Sequence, residues 1–466
     1  MRDRPGSHHR DPGHRDPGAA AQWRTRAPEL APRKARRQRP TDRGVAAMSN
    51  TRSRLGRRPI AITALVILAA IVGVFIGRAF GGDGRSPMLV STPPSTPPST
   101  PSAQTAAPEQ ARRDAATEAK ANLHATTCTT VRIIAGQPRT PYSQYASTLA
   151  KLISDPALNG GNGWRAFPDS DTSGTSQNLK NLGVPENRRC TLALAQLNVV
   201  VDAQNGRGDF TGGAVEGLSL VGQIYYDVLQ LIVPADSSIH SADDLCGKTV
   251  ESGLLDSGTH QIATVLFRQI TRVKGAGCVV RPVTGNRITE ALQKLHSTGA
   301  DHADAVLWAA GAPTMAVQEY NDSYQKIKFV PLDDWQSAIQ RDWYSQYLDV
   351  GANVFTRAAI EPGDYNLIPS QPTATLAVPN GIVASRYADP ALVEFAAWMM
   401  DEHSAEFKAT LWATHQAQAQ ARRLGFATPG SFIATNICRY VPLHPAAERY
   451  YTHALGYPTG CPAPTP

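Results

Sequence analysis

Three short segments carry residue types suited to holding a small polar ligand. They are Gln137-Pro138-Arg139-Thr140-Pro141-Tyr142, Ser173-Gly174-Thr175-Ser176-Gln177-Asn178 and Asp256-Ser257-Gly258-Thr259. Each stands where an apolar run gives way to helical spacing, so each puts short hydroxyls and unpaired backbone N–H groups at a helix N-terminus. The N-terminal end of the helix dipole also favours an anion there. Ordinary N-capping uses the same residues. Three such turns in one α/β chain nevertheless predict a ligand site, because turns of this kind converge at the carboxyl ends of the strands.

Reactive chemistry is harder to place. Gly217-Leu218-Ser219-Leu220 resembles a hydrolase elbow, but the next glycine is Gly222, one position too late. No HExxH, P-loop or GxGxxG occurs, and no nucleophile–base–acid set can be assembled. The chain therefore reads as a binding protein with no cofactor, not an enzyme. His444, next to Pro445, reads as structural. Trp308 and the Tyr225-Tyr226 pair read as core or cleft wall.

The elements that must position these turns alternate. Predicted strands are Thr130–Ala135, Thr191–Gln196, Val228–Val233, Lys248–Ser252, Cys278–Val283, Ala303–Trp308, Ile327–Pro331 and Ala374–Val378. Several are continuous apolar runs, as strands buried on both faces require. Helical faces fall between them, at Tyr142, Tyr145, Leu149 and Leu152 and at Ile262, Val265, Leu266 and Ile270. Further helices are expected around Pro390–Glu402 and Ala405–Leu424. This alternation implies a largely parallel sheet with right-handed crossovers. About 340 residues are too many for one such sheet, so two lobes are expected within 126–466. One lobe takes about 126–230 plus 370–466 and the other about 231–369, with chain crossings near Val228–Ala235 and before Ala374.

The N-terminal quarter is different. The net charge of the 466-residue chain is +7, yet residues 1–58 hold 16 basic and 5 acidic residues and the remainder is net negative. No folded basic face follows, which excludes nucleic acid as the main partner. Residues 1–58 read as a disordered cytoplasmic tail, with Met48 an alternative start to Met1. Ile60–Gly77 has no charge and would span about 27 Å as a helix, so 59–81 reads as a single membrane anchor. Arg52, Arg54, Arg57 and Arg58 precede it, which keeps the N-terminus inside and exports the rest. No small-x-small site follows, which argues against a cleaved signal peptide. Residues 82–125, including STPPSTPPSTPS at 91–102, read as an extended tether.

All six cysteines follow the anchor, and an even number on the oxidising side predicts disulfides. Cys128 and Cys190 each precede a strand of the first lobe. Cys246 and Cys278 stand at the starts of two strands of the second, and neighbouring parallel strands bring such positions within bridging distance. The expected pairs are Cys128–Cys190, Cys246–Cys278 and, by remainder, Cys438–Cys461.

Several segments, in order, resemble the TAXI-type solute receptors of TRAP transporters over about 131–451. They are Asp244-Leu245-Cys246-Gly247-Lys248 followed by Asp256-Ser257-Gly258-Thr259, then Asp304-Ala305 with Gly311-Ala312-Pro313-Thr314. Ile360 to Tyr365 and Pro442-Leu443-His444-Pro445-Ala446-Ala447, with Arg449, Tyr450 and Tyr451, complete the series. The resemblance implies a type II periplasmic-binding-protein-like fold of two lobes that close on a small solute, a carboxylate or an amino acid. It implies delivery to a TRAP-type permease in the same membrane. A sensory or interaction ectodomain of the same fold without a transporter is the alternative.

The ligand-binding residues expected from the turns and the resemblance are Arg139, Thr140 and Tyr142 in the first turn, and Gly174, Thr175 and Asn178 in the second. Gln196 and Tyr225 come from strands, Ser257, Gly258 and Thr259 from the third turn, and Gly311 and Pro313 from the later segment. Two positions depart from the family pattern. Arg139-Thr140-Pro141-Tyr142 replaces Gly-Gly-Thr-Tyr, and Arg139 is then expected to clamp a carboxylate. Asp256 replaces the first glycine of the third turn, where it either caps its helix or repels an anion, so a zwitterionic or cationic solute enters consideration.

Overall fold

Two strands outlast all the others, and they organise the molecule. The computed structural model describes residues 103–344, 354–365, 371–412 and 440–457. Its strands are β1 (Thr130–Ile134), β2 (Arg165–Asp169), β3 (Thr191–Gln196), β4 (Leu218–Pro234), β5 (Thr249–Glu251), β6 (Arg281–Val283), β7 (Ala305–Ala310), β8 (Ile327–Val330), β9 (Thr356–Ile360) and β10 (Thr373–Ser385). The helices are α1 (Ala103–Asn122), α2 (Pro141–Ser154), α3 (Thr175–Gly183), α4 (Leu197–Gln204), α5 (Gly258–Lys274), α6 (Ile288–Gln293), α7 (Met315–Ser323), α8 (Gln336–Tyr344), α9 (Pro390–Glu402), α10 (Ser404–Trp412) and α11 (Pro445–Leu455).

The sheet runs β2-β1-β3-β10-β4-β7-β5-β6, with β8 on β4 and β9 on β10. β4 and β10 pair along most of their length and pass through both halves of it. The upper end of β10, from Asn380 to Ala384, faces β3, whereas Thr373 to Ala377 face β9. The far end of β4 continues into β7 and β8 through Val228 to Pro234. One half thus contains β1, β2 and β3, the other β5 to β9, and both share β4 and β10.

The expected largely parallel sheet is corrected to a mixed one. β1/β2, β1/β3, β5/β6 and β5/β7 are parallel. Every pairing that β4 and β10 make with another strand of the sheet is antiparallel. A strand buried on both faces is apolar whichever way it runs, so the sequence signal carries no direction. The same two strands extend well past the predicted Val228–Val233 and Ala374–Val378. Their outer portions carry buried polar residues, Ser219, Gln223, Asp227 and Asn380, which break an apolar run without ending a strand.

The expected tether is also corrected at its C-terminal end, where Ala103–Asn122 is a helix. The segment is rich in alanine, the best helix former. Ala115, Ala119 and Leu123, four residues apart, are buried against α9 and α11. Lys120 lies over the Trp398 ring at 5.0 Å, and Asn122 donates to Glu394 at 2.8 Å. The expected tail, the anchor at 59–81 and the Pro/Ser/Thr repeat lie outside the described residues. Among the described residues, no helix is long and apolar enough to cross a membrane.

Two disulfides join the expected partners. Cys128 and Cys190 have Cα atoms 5.6 Å apart beside the parallel pair β1/β3, and Cys246–Cys278 tie the entries to β5 and β6. Cys438 and Cys461 lie outside the described residues.

Candidate functional site

Helices α2, α3, α4 and α5 all begin at one place. Their N-cap residues Thr140, Gly174, Gln196 and Ser257 line a single cavity of about 50 Å³ between the two halves of the sheet. The first-turn N–H groups of each helix have no partner within that helix, so positive ends of four dipoles converge on the space. Tyr142, Thr175, Tyr225 and Asp227 form one wall, and Gly258, Thr259, Trp308 and Ala309 the opposite one.

The two rims touch. A Cβ placed on Gly258 would stand 2.0 Å from Gln196 Oε1, and one on Gly174 would stand 3.4 Å from the Ser257 side chain. Glycine at 258 is required by that approach rather than by its backbone angle. Polar contacts ring the cavity across the same boundary. The Gln177 N–H donates to the Asp256 carbonyl at 3.1 Å, Gln261 donates to Ser176 at 2.8 Å, and Lys180 pairs with Asp256 at 2.7 Å. Arg287 reaches Asp171 at 3.2 Å, and Arg139 pairs with Glu319.

The two departures from the resembled pattern share one property. Arg139 and Asp256 have φ of 64° and 63°, and they are the non-glycine residues with positive φ among those described. Each holds the left-handed conformation that a glycine takes without strain. Each side chain is turned outward into a cross-cleft ion pair, Arg139 with Glu319 and Asp256 with Lys180. Arg139, expected to clamp a carboxylate, is half exposed on Glu319 and does not line the cavity.

Most of the other expected residues converge. Thr140, Tyr142, Gly174, Thr175, Gln196, Tyr225, Ser257, Gly258 and Thr259 all line the cavity. The Tyr142 hydroxyl donates to Asn380 Oδ1 and lies 3.3 Å from Thr175 Oγ1, and its ring meets that of Tyr225 edge-on at 6.2 Å. The Gln196 N–H donates to Thr175 Oγ1 at 3.2 Å, and the Ala309 N–H donates to Thr259 Oγ1 at 3.2 Å.

Three expected residues support the site from behind. Asn178 is buried and ties strand ends together, its amide donating to the carbonyls of Ala135 and Leu194. Gly311 packs behind Pro141 and Tyr225, and Pro313 follows it. The segment is held by Tyr365, whose hydroxyl accepts from the Thr314 N–H at 2.7 Å and donates to Gln230 at 2.6 Å. Two segments of the resemblance, Gly311–Thr314 and Ile360–Tyr365, therefore meet at one buried glutamine.

Sequence reading missed Asp227. Its carboxylate accepts from Gln196 Nε2 at 2.7 Å at the cavity wall, and burial pushes it up to about 7 against the lowering pull of the Gln196 and Asn380 amides. The available signal was an acidic residue inside the apolar strand Tyr225-Tyr226-Asp227-Val228-Leu229. Burial likewise holds the hydroxyls of Tyr142 and Tyr225 well above the ordinary phenol range. Four buried polar atoms on lining residues have no hydrogen-bond partner among the described residues: Gln137 Oε1, Gln196 Oε1, Tyr225 OH and Trp308 Nε1. Native structures seldom leave such groups unsatisfied, so a cluster of them marks a place for a ligand or water. Among the described residues, no group of three His, Cys, Asp or Glu side chains could hold a metal ion.

His444 has the expected structural role. Its Nδ1 accepts from the Ala446 N–H at 3.2 Å, capping α11, and burial pushes the imidazole down to about 4, with Arg449 adding to the effect.

Among solved structures, the chain is similar to periplasmic binding protein BugD at 12% identity, covering 70% of this chain and 98% of that one, with a TM-score of 0.39. It is similar to the substrate binding protein of an amino acid ABC transporter at 11% identity, covering 60% and 97%, with a TM-score of 0.35. A TctC solute binding protein from Polaromonas is similar at 12% identity, covering 70% and 98%, with a TM-score of 0.35. A family model matches residues 135–454, well over half of the chain and every residue that lines the cavity, and this chain belongs to the NMT1-like family.

Proposed function

We propose that the chain is an extracytoplasmic solute-binding receptor. In this reading the two halves act as lobes hinged on β4 and β10, closing on a small polar solute such as a carboxylate or an amino acid. Ile60–Gly77 anchors it to the membrane, and a TRAP-type permease of the kind served by TAXI receptors takes up the solute. One observation carries the reading: four helix N-termini and four residues that each carry an unpartnered buried polar atom line one cavity at the seam between the halves. The disulfides Cys128–Cys190 and Cys246–Cys278 favour the oxidising side of the membrane.

A thermal-shift screen of the full chain in detergent against carboxylates and amino acids tests the reading. A true ligand at 100 times its Kd adds about 2.7 kcal/mol to stability. Small-angle scattering with that ligand should give a radius of gyration no larger than without it. A screen without a single hit removes the proposal.

A further inference from the structure

We propose that Asp227 anchors a protonated nitrogen of the solute, so that the site takes small amines and amino acids and rejects carboxylates that lack a nitrogen. This rests on the receptor reading and narrows its ligand class.

Asp227 is the one charged side chain among the described residues lining the cavity, and it is 3% exposed. Gln196 donates to it, but no cation pairs with it among the described residues. The basic side chains that bridge the two rims are already committed, Arg139 to Glu319, Lys180 to Asp256 and Arg287 to Asp171. A buried carboxylate without a counter-charge is costly, and the raised affinity of Asp227 for a proton expresses that cost. A cation arriving from outside offsets it; a second anion increases it.

The unpartnered atoms fit the same occupant. An ammonium group offers three donors and no acceptor. Asp227, Gln196 Oε1 and Gln137 Oε1 supply three acceptors on residues lining the cavity. Tyr225 OH and Trp308 Nε1, with the helix N-termini, supply donors for an oxygen-bearing end. A cavity of about 50 Å³ lies far below the roughly 300–1,000 Å³ of common ligand pockets, which favours a solute of few heavy atoms in this arrangement.

The test is calorimetric titration of the full chain at pH 8 with matched pairs: glycine against glycolate, and γ-aminobutyrate against butyrate, with methylammonium and succinate added. The nitrogen-bearing member of a pair should bind at least 30-fold more tightly. Asp227→Asn should erase that preference, and Asp227→Glu should keep part of it. If Asp227→Asn does not fold, the contrast within each pair on the unaltered chain still decides. Equal or tighter binding of glycolate, butyrate or succinate overturns the role of Asp227 and leaves the receptor reading standing. Binding of none of the probes overturns both.

Discussion

Lys180 Nζ lies 2.7 Å from the Asp256 carboxylate, joining α3 on one rim of the cavity to the turn before α5 on the other. Asp256 reaches it from a left-handed backbone position, beside a carbonyl that also accepts from the Gln177 N–H. Both side chains are about two-fifths exposed, so the pair is worth at most about 1 kcal/mol. Lys180→Glu should therefore shift the balance between open and closed forms toward the open one by up to about fivefold. The double variant Lys180→Glu/Asp256→Lys should recover it. Small-angle scattering at low salt reads the change, and 1 M salt should shrink the contrast because exposed charges are screened.

Gly258 tests the close approach of the rims more sharply. Gln196 cannot simply swing away from a new Cβ, because its amide is held by Asp227. Gly258→Ala should leave the fold intact while preventing full closure. The expected result is a larger radius of gyration, a melting temperature within a few degrees of the parent, and solute affinity reduced at least tenfold. An alanine variant that binds as tightly as the parent would show that this contact does not limit closure.

Asp227 makes stability depend on pH. Its folded value of about 7 lies above the unfolded value of 3.8, so the native state holds a proton that the unfolded chain has already lost. Its contribution is therefore greatest below pH 4 and falls as pH rises to about 7. Comparing chemical denaturation of the parent and Asp227→Asn across pH 4–8 isolates this. The parent should lose stability relative to the variant as pH rises, and a flat difference would place Asp227 in contact with water or a cation.

His444 acts in the opposite direction over part of the same range. Its folded value of about 4 lies below the ordinary 6.5, so acidification protonates the unfolded chain first. The native state then loses stability as pH falls from about 6.5 to 4. His444→Asn keeps a good N-cap for α11 and removes the titration. The variant should match the parent near pH 7.5 and exceed it near pH 5 in denaturant midpoint.

The disulfides are the most direct chemical check. Non-reducing peptide mapping should recover Cys128 with Cys190 and Cys246 with Cys278. Closing loops of 62 and 32 residues, each bridge contributes about 4 kcal/mol on chain-entropy grounds, so serine replacement of either pair should lower the denaturant midpoint clearly.

Much of this was legible in the sequence because local chemistry was enough. The three turns announce themselves through Gly, Ser and Thr next to apolar helical faces, and the structure brings Thr140, Gly174, Thr175, Ser257, Gly258 and Thr259 to one cavity. The two described disulfides followed from cysteines at strand entries. Strand direction was not legible, since β4 and β10 are apolar for reasons that hold in either sense. Nor was the fate of Arg139, because its partner Glu319 lies 180 residues away on α7. Asp227 was hidden by its own strand: an acidic residue in an apolar run reads as an interruption until its burial is known.

The ladder between β4 and β10 shifts register between Pro379 and Gly381 and again between Ile382 and Val383. The first of them spans Asn380, which receives the Tyr142 hydroxyl beside the cavity. Bulged positions have already given up regular pairing and tolerate extra bend. In the proposed hinge motion the shared strands would therefore act as a leaf spring with its thinnest section at the level of the cavity. Flexing there would strain few ladder bonds and would move Asn380 along with the hydroxyl it holds, so occupancy of the cavity would be felt mechanically at the interrupted ladder.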